Sequence, residues 1–187
     1  MKKAVLYSLR EQYLYFIVCS MIGWVYEVGL GLIKEEGFVN RGFMFGPWLP
    51  VYGVGGLIIL FLMSRILGSR VKNKAIKILI TFVAITLLAM FVELAASYII
   101  DITGGNFKTL WNYSDRKFNF QGRIALWPGI KFGIIGVLVM YCLKPLLDKL
   151  FRSKYLKAIN IGIICCAAIF FSDVIARIWL GSNFVGK

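Results

Sequence analysis

Residues 78–100 read Ile78-Leu79-Ile80-Thr81-Phe82-Val83-Ala84-Ile85-Thr86-Leu87-Leu88-Ala89-Met90-Phe91-Val92-Glu93-Leu94-Ala95-Ala96-Ser97-Tyr98-Ile99-Ile100, an apolar run with a single charge. At 1.5 Å per residue such a run reaches about 34 Å as a helix, enough to cross a hydrocarbon core of about 30 Å. Apolar runs of comparable length recur on either side of it. Hydrophobic residues make up 59% of the 187 positions and charged residues only 17%, with mean hydropathy +0.77. A soluble domain sits nearer 45–50% apolar and 25% charged. The expected fold is an all-α integral membrane protein forming a single polytopic domain over residues 1–187.

Working outward, the run is preceded by the densest basic cluster, Arg65, Arg70, Lys72, Lys74 and Lys77. Before that cluster a second helix is expected from Trp48 to Leu67, bent or irregular where Pro47, Pro50, Gly53, Gly55 and Gly56 fall. A first helix is expected from Gln12 to Ile33, after a short basic arm over residues 1–11. Its Ser20, Gly23, Glu27 and Gly31 share one small and polar face, the kind by which membrane helices approach one another. On the other side, residues 101–125 form the longest polar segment. A fourth helix, Leu126 to Leu143, carries Gly129, Gly133 and Gly136 on one stripe. Lys144, Lys149, Arg152, Lys154 and Lys157 follow, and a fifth helix runs from Ala158 to Leu180.

The charge pattern orients these spans. With the N-terminus cytoplasmic, the same side holds Lys2, Lys3, Arg10 and both dense clusters, 13 of the 22 Lys and Arg. The opposite loops hold Lys34, Arg41, Lys108, Arg116, Lys117 and Arg123. The reading is five transmembrane helices, N-in and C-out, by the excess of cations on the cytoplasmic side. The net charge of +13 is spread between spans, where it meets anionic headgroups; nucleic acid is not an expected partner.

Composition also removes several chemistries. There is no histidine, so histidine-based triads, histidine zinc motifs and imidazole relays are excluded. Cys19, Cys142, Cys165 and Cys166 lie in apolar segments without the spacing of a metal site or a disulfide framework. No metal or cofactor is expected. The apolar run after Met1-Lys2-Lys3 is too long for a signal peptide and contains Glu27, so an uncleaved first helix is expected.

Ionisable groups inside spans cost several kcal/mol and are candidates for function. Glu27, Glu93, Lys131, Asp173 and Arg177 are such groups. On the topology above, Glu27, Glu93, Lys131 and Asp173 come to one depth, roughly 8–10 Å below the outer surface at 1.5 Å per residue. All five tryptophans fall on that half. So does the connector Asn40-Arg41-Gly42-Phe43-Met44-Phe45-Gly46-Pro47-Trp48-Leu49-Pro50-Val51-Tyr52-Gly53, which combines an amide, a cation, prolines, glycines and aromatics. Glu27, Asn40, Arg41, Glu93, Asn119, Arg123, Asp173 and Arg177 are therefore the candidate substrate-binding residues, with the connector as the lip of an outer cavity. Plainer readings stand beside this one. Asp173 and Arg177, one turn apart, suit mutual neutralisation, and Lys131 can snorkel to the interface. Trp48, Trp111 and Trp127 suit interfacial anchors, and the connector's glycines and prolines suit turns. Glu27 and Glu93 have no cation one turn away and call for partners elsewhere, with Arg41, Arg123 or Arg177 expected.

Gly23-Trp24-x-x-Glu27, Asn40-Arg41-Gly42-Phe43, Gly46-Pro47, Pro50-x-Tyr52-Gly53, Trp111-x-Tyr113-Ser114 and Asn119-x-x-Gly122-Arg123 together resemble the CmpB family. Its members are bacterial membrane proteins classed as ABC transporter permeases of type IV, related to small vertebrate transmembrane proteins. The resemblance covers roughly residues 13–140. The chain departs from the motif at Asn112, where an aspartate is expected. The resemblance implies a transporter component in the cell membrane, a multi-pass protein. No Walker A sequence occurs, so ATP-driven transport implies a separate ATPase subunit docking on the basic loops. A homodimer or another partner subunit is expected, since five helices make a small conduit.

Three functions fit these residues. The first is a permease whose outer cavity binds a charged or zwitterionic solute or a lipid headgroup. In the second, an intramembrane enzyme acts on a lipid-linked substrate at the outer leaflet; Arg41 and Arg123 would clamp phosphate and Glu27 or Glu93 would serve as base. No catalytic nucleophile is identifiable for it. The third is a non-catalytic assembly subunit in which the charges fix helix register.

Overall fold

The computed structural model describes residues 2–33, 37–38, 40, 42, 44–66, 71–109 and 111–180, with the side chains of all but 2–8 and 62–66. Among the described residues the regular structure is all-helical apart from one minimal hairpin. Helix α1 spans Lys2–Ile33, α2 Pro50–Ile66 and α3 Lys74–Ile102. A 3₁₀ turn at Phe107–Thr109 leads to strands β1 (Asn119–Phe120) and β2 (Ile124–Ala125). Then come α4 (Leu126–Leu138), a π turn (Val139–Leu143), α5 (Lys144–Phe151) and α6 (Leu156–Leu180). Among the described residues four stretches are long and apolar enough to cross a membrane: Leu9–Ile33, Lys74–Ile102, Leu126–Phe151 and Leu156–Leu180. Their apolar side chains largely face outward. Leu79, Leu87, Phe91, Ile161 and Ile164 are each more than 60% exposed, the reverse of a soluble fold. The chain is a membrane protein.

Several boundaries differ from those expected, each for a local reason. The basic arm over residues 1–11 is not separate, because α1 begins at Lys2. Helix α2 begins at Pro50, two residues later than expected; proline suits a first helical turn, where its missing N–H costs nothing. Helix α3 starts early because the Asn73 side chain caps it, accepting from the Ala75 and Ile76 amides at 2.9 and 3.2 Å. The fourth apolar stretch runs on to Phe151 instead of ending at Leu143. Pro145 lacks an N–H and its ring crowds the carbonyl four residues back, and the π turn at Val139–Leu143 precedes it.

The structure divides into two compact units, Met1–Ile58 with Lys144–Lys187, and Ile59–Leu143. In the first, the polar face of α1 receives the start of α2. A Cβ at Gly23 would overlap the Tyr52 ring. One at Gly53 would meet Ser20 and Phe16, and one at Gly56 would lie 2.6 Å from the Cys19 sulfur. Ile17, Trp48 and Phe170 form this unit's buried cluster, with Trp48 and Phe170 edge to face at 6.0 Å.

In the second unit α3 packs on the glycine stripe of α4. Gly129 faces Thr86 and Met90, Gly133 faces Thr86 and Phe82, and Gly136 faces Ile85, all three glycines being buried. Without a hydrophobic force between helices in lipid, such close approach gains its stability from dispersion contacts. Ile85, 1% exposed, is the centre of this unit. Lys131 projects away from the stripe and is exposed over the Trp127 ring at 5.9 Å, as a snorkelling lysine would be.

Candidate functional site

In the first unit the connector before α2 is fastened by two groups singled out in the sequence. Asn40 is saturated: its Oδ1 accepts from Trp24 Nε1 at 2.7 Å and the Gly42 amide at 3.1 Å, while its Nδ2 donates to the Met44 and Phe45 carbonyls. Asp173, on α6, receives the other end. Its carboxylate accepts from the Phe45 amide at 3.0 Å, the Gly46 amide at 2.7 Å and Trp48 Nε1 at 2.7 Å. A side chain at position 46 would overlap the Trp48 indole, so glycine is required there. The Leu49 amide donates to the Ser20 carbonyl at 3.0 Å, fixing the connector to α1 as well.

Two expectations change here. Asp173 is a receptor for connector amides, where mutual neutralisation with Arg177 had stood as the plain reading; Arg177 is buried with its guanidinium 5.2 Å from the Phe45 ring. Trp48 is 6% exposed and belongs to the core, so it is not an interfacial anchor. The connector is thus a built element, held by α1 and α6. Arg41 lies outside the described residues.

Glu27 sits one turn beyond Gly23 on α1, and its Oε1 accepts from the Tyr52 hydroxyl at 2.5 Å. In the second unit Glu93 repeats the motif, its Oε1 accepting from the Tyr113 hydroxyl at 2.9 Å. Its Oε2 is buried without a hydrogen-bond donor among the described residues. The expected arginine partners are replaced by tyrosines in these contacts. A phenol can satisfy a carboxyl oxygen without bringing a second charge into the membrane.

Arg123 is engaged elsewhere in the second unit. Its Nη2 lies 2.5 Å from Asp101 Oδ2, and its guanidinium is sandwiched between the Tyr98 and Phe107 rings at 4.3 and 4.2 Å. Aromatic faces complement a partly desolvated cation. The Arg123 carbonyl accepts from Trp111 Nε1 at 2.9 Å, so Trp111 also serves this latch. Asn119 organises the hairpin: Nδ2 donates to the Ser114 and Arg116 carbonyls and Oδ1 accepts from the Gly122 amide. The turn places Gln121 at φ 54° and Gly122 at φ 68°, as a tight hairpin turn of primed type requires. Asn112 accepts from the Ser114 amide and hydroxyl, a local turn that an amide serves well.

Sequence reasoning did not assign roles to Tyr52 and Tyr113, although both stand in the quoted motifs. It also passed over the group of Tyr15, Asp148 and Lys144 in the first unit. There Asp148 accepts from the Tyr15 hydroxyl and from Lys144 Nζ, the latter at 2.6 Å. Asp148 is the one acidic residue among the basic residues 144–157, which was the available signal.

A family model described as "Putative ABC-transporter type IV" (ABC_trans_CmpB) matches residues 14–178. That match includes both carboxylate–tyrosine pairs, the Asp173 anchor and the Arg123 latch. No curated protein and no solved structure matches the chain.

Proposed function

The chain belongs to the ABC_trans_CmpB family, and from that premise we propose that it is the membrane-embedded component of a transporter, working with a separate ATPase subunit. The family match over residues 14–178 is the observation that carries this reading. Its setting is the cell membrane, as a multi-pass protein of five spans with the N-terminus cytoplasmic. The clustering of 13 of 22 cations in the N-terminal segment and two loops supports that orientation. The same basic loops are the proposed dock for the ATPase, and a homodimer would enlarge the conduit.

Among the candidate residues we assign different work to different groups. Asn40, Asn119, Asp173 and Arg123 hold loop segments, since their described bonds go to backbone, to the indoles of Trp24 and Trp48, or to Asp101. Glu27 and Glu93, each within its own unit, are the proposed contacts for a polar, charged or zwitterionic solute or headgroup. Each combines an acceptor inside a span with a neighbouring hydroxyl that can turn to a guest. Arg41 and Arg177 remain the proposed cations for a solute of mixed charge.

The test is isolation from native membranes of the full chain with whatever ATPase subunit accompanies it, followed by ATP-driven solute or lipid movement in vesicles. Glu27→Gln and Glu93→Gln are expected to abolish movement while leaving the ATPase bound. Full movement in both variants would overturn the assignment of the carboxylates. Failure of the intact complex to move any solute or lipid would overturn the transport reading.

A further inference from the structure

The first unit has a feature that the transport reading does not use. Between α1, α5 and α6 lies an apolar groove of about 170 Å³, lined by residues including Tyr13, Ile17, Leu150, Ile159, Gly162 and Cys166.

The groove lies at the basic end of the unit. Lys149, Arg152, Lys154 and Lys157 are all exposed. The nearby acid does not offset them, because Asp148 is engaged by Lys144 and Tyr15. Lys149 and Arg152 line a second depression on α5 together with Pro145 and Asp148. Arg10, bonded to Asn160 at 3.0 Å and lying over Phe151, marks the level of the charges on α1. Tyr13 is three residues further along the helix, about 4.5 Å deeper at 1.5 Å per residue.

We propose that this groove is a binding site for an anionic phospholipid. One acyl chain occupies the groove against Ile17, Leu150 and Gly162, and the phosphate lies against Lys149 and Arg152. A guest here must be apolar along the groove and negative at the mouth. A phospholipid with a net negative headgroup meets both demands. A docking protein subunit would use the basic surface but not the groove.

The test uses the full chain in detergent, titrated with phosphatidylglycerol or phosphatidylcholine of identical acyl chains, with bound lipid read by native mass spectrometry. Two surface cations contribute about 1 kcal/mol each, so phosphatidylglycerol is expected to be retained at least about tenfold better. The double variant Lys149→Gln with Arg152→Gln is expected to erase that preference but keep phosphatidylcholine binding. Gly162→Leu is expected to lower retention of both lipids severalfold. A Cβ at Gly162 meets nothing within 4 Å, so the fold has room for it, and unchanged helicity checks that. Equal retention of the two lipids by the unaltered chain, or unchanged binding in Gly162→Leu, would overturn the proposal. So would a co-purifying polypeptide that excludes lipid from the groove. None of these outcomes bears on transport through Glu27 or Glu93.

Discussion

At the scale of single residues, a polar group inside this protein is accounted for by asking which otherwise unpaired partner it serves. Asp173 serves three donors, two of them backbone amides in a connector that has no regular ladder of its own. Charge-assisted bonds of this kind are among the stronger ones, and removing their acceptor leaves donors stranded. Asp173→Ala is therefore expected to destabilise the first unit by about 2–4 kcal/mol. Asp173→Asn, which keeps one acceptor oxygen, is expected to cost less. Thermal unfolding in micelles measures the cost, and near-ultraviolet circular dichroism of Trp48 reports locally on the lost indole contact. An unchanged Trp48 signal in Asp173→Ala would show that the connector is held by other means. Arg123 illustrates the same logic with the sign reversed, a cation held by one carboxylate and two aromatic faces so that it closes the 101–125 excursion onto the end of α3.

At the scale of elements, the helices meet where side chains are smallest. A Cβ at Gly136 would lie 2.5 and 2.6 Å from Ile85 atoms, far inside contact distance, while Gly55 has open space around it. Gly136→Ala is expected to force α3 and α4 apart at a cost of about 1–3 kcal/mol, as overpacking does. Gly55→Ala is expected to be neutral or slightly stabilising, because alanine is the better helix former. Reversible unfolding in mixed micelles compares the two; equal stability of both variants would refute the close packing of the stripe. The stripe of Gly129, Gly133 and Gly136 was legible in the sequence because spacing alone puts three small residues on one face. The length of the fourth helix was not, since a proline and a lysine at 144–145 look like a stop and the π turn that accommodates them leaves no compositional trace. Nor was the role of Asp173, because two of its three partners are backbone amides 128 and 127 residues away, which no side-chain pattern announces. The tyrosines at 52 and 113 stood in plain view, but a search for charge partners passes over a neutral phenol.

At the scale of the whole molecule, the open question of topology turns on α2. Its 17 residues reach about 25 Å at 1.5 Å per residue, short of a hydrocarbon core of about 30 Å but within reach if the flanking residues enter the interface or the bilayer thins. Because α3 and the stretch Leu126–Phe151 each cross, the segment before α3 and the segment after α5 share one face in either case. A full crossing of α2 puts the start of α1 on that face as well; a re-entrant α2 puts it on the opposite face. Leu9, near the start of α1, Lys72, just before the cap of α3, and Lys154, between α5 and α6, are all exposed and report directly on this. With Cys19, Cys142, Cys165 and Cys166 replaced by alanine or serine, Leu9→Cys, Lys72→Cys and Lys154→Cys are each expected to react with a membrane-impermeant maleimide only after the cytoplasmic face is opened. Asn112→Cys, in the polar excursion between α3 and α4, is expected to react from outside in intact cells. Labelling of Leu9→Cys from the side opposite Lys72→Cys and Lys154→Cys would instead make α2 re-entrant. If Lys72→Cys and Lys154→Cys are then the pair that reacts from outside, both dense basic clusters lie on the outer face and cannot dock a cytoplasmic ATPase, so a single labelling pattern tests both the topology and the mode of partnership.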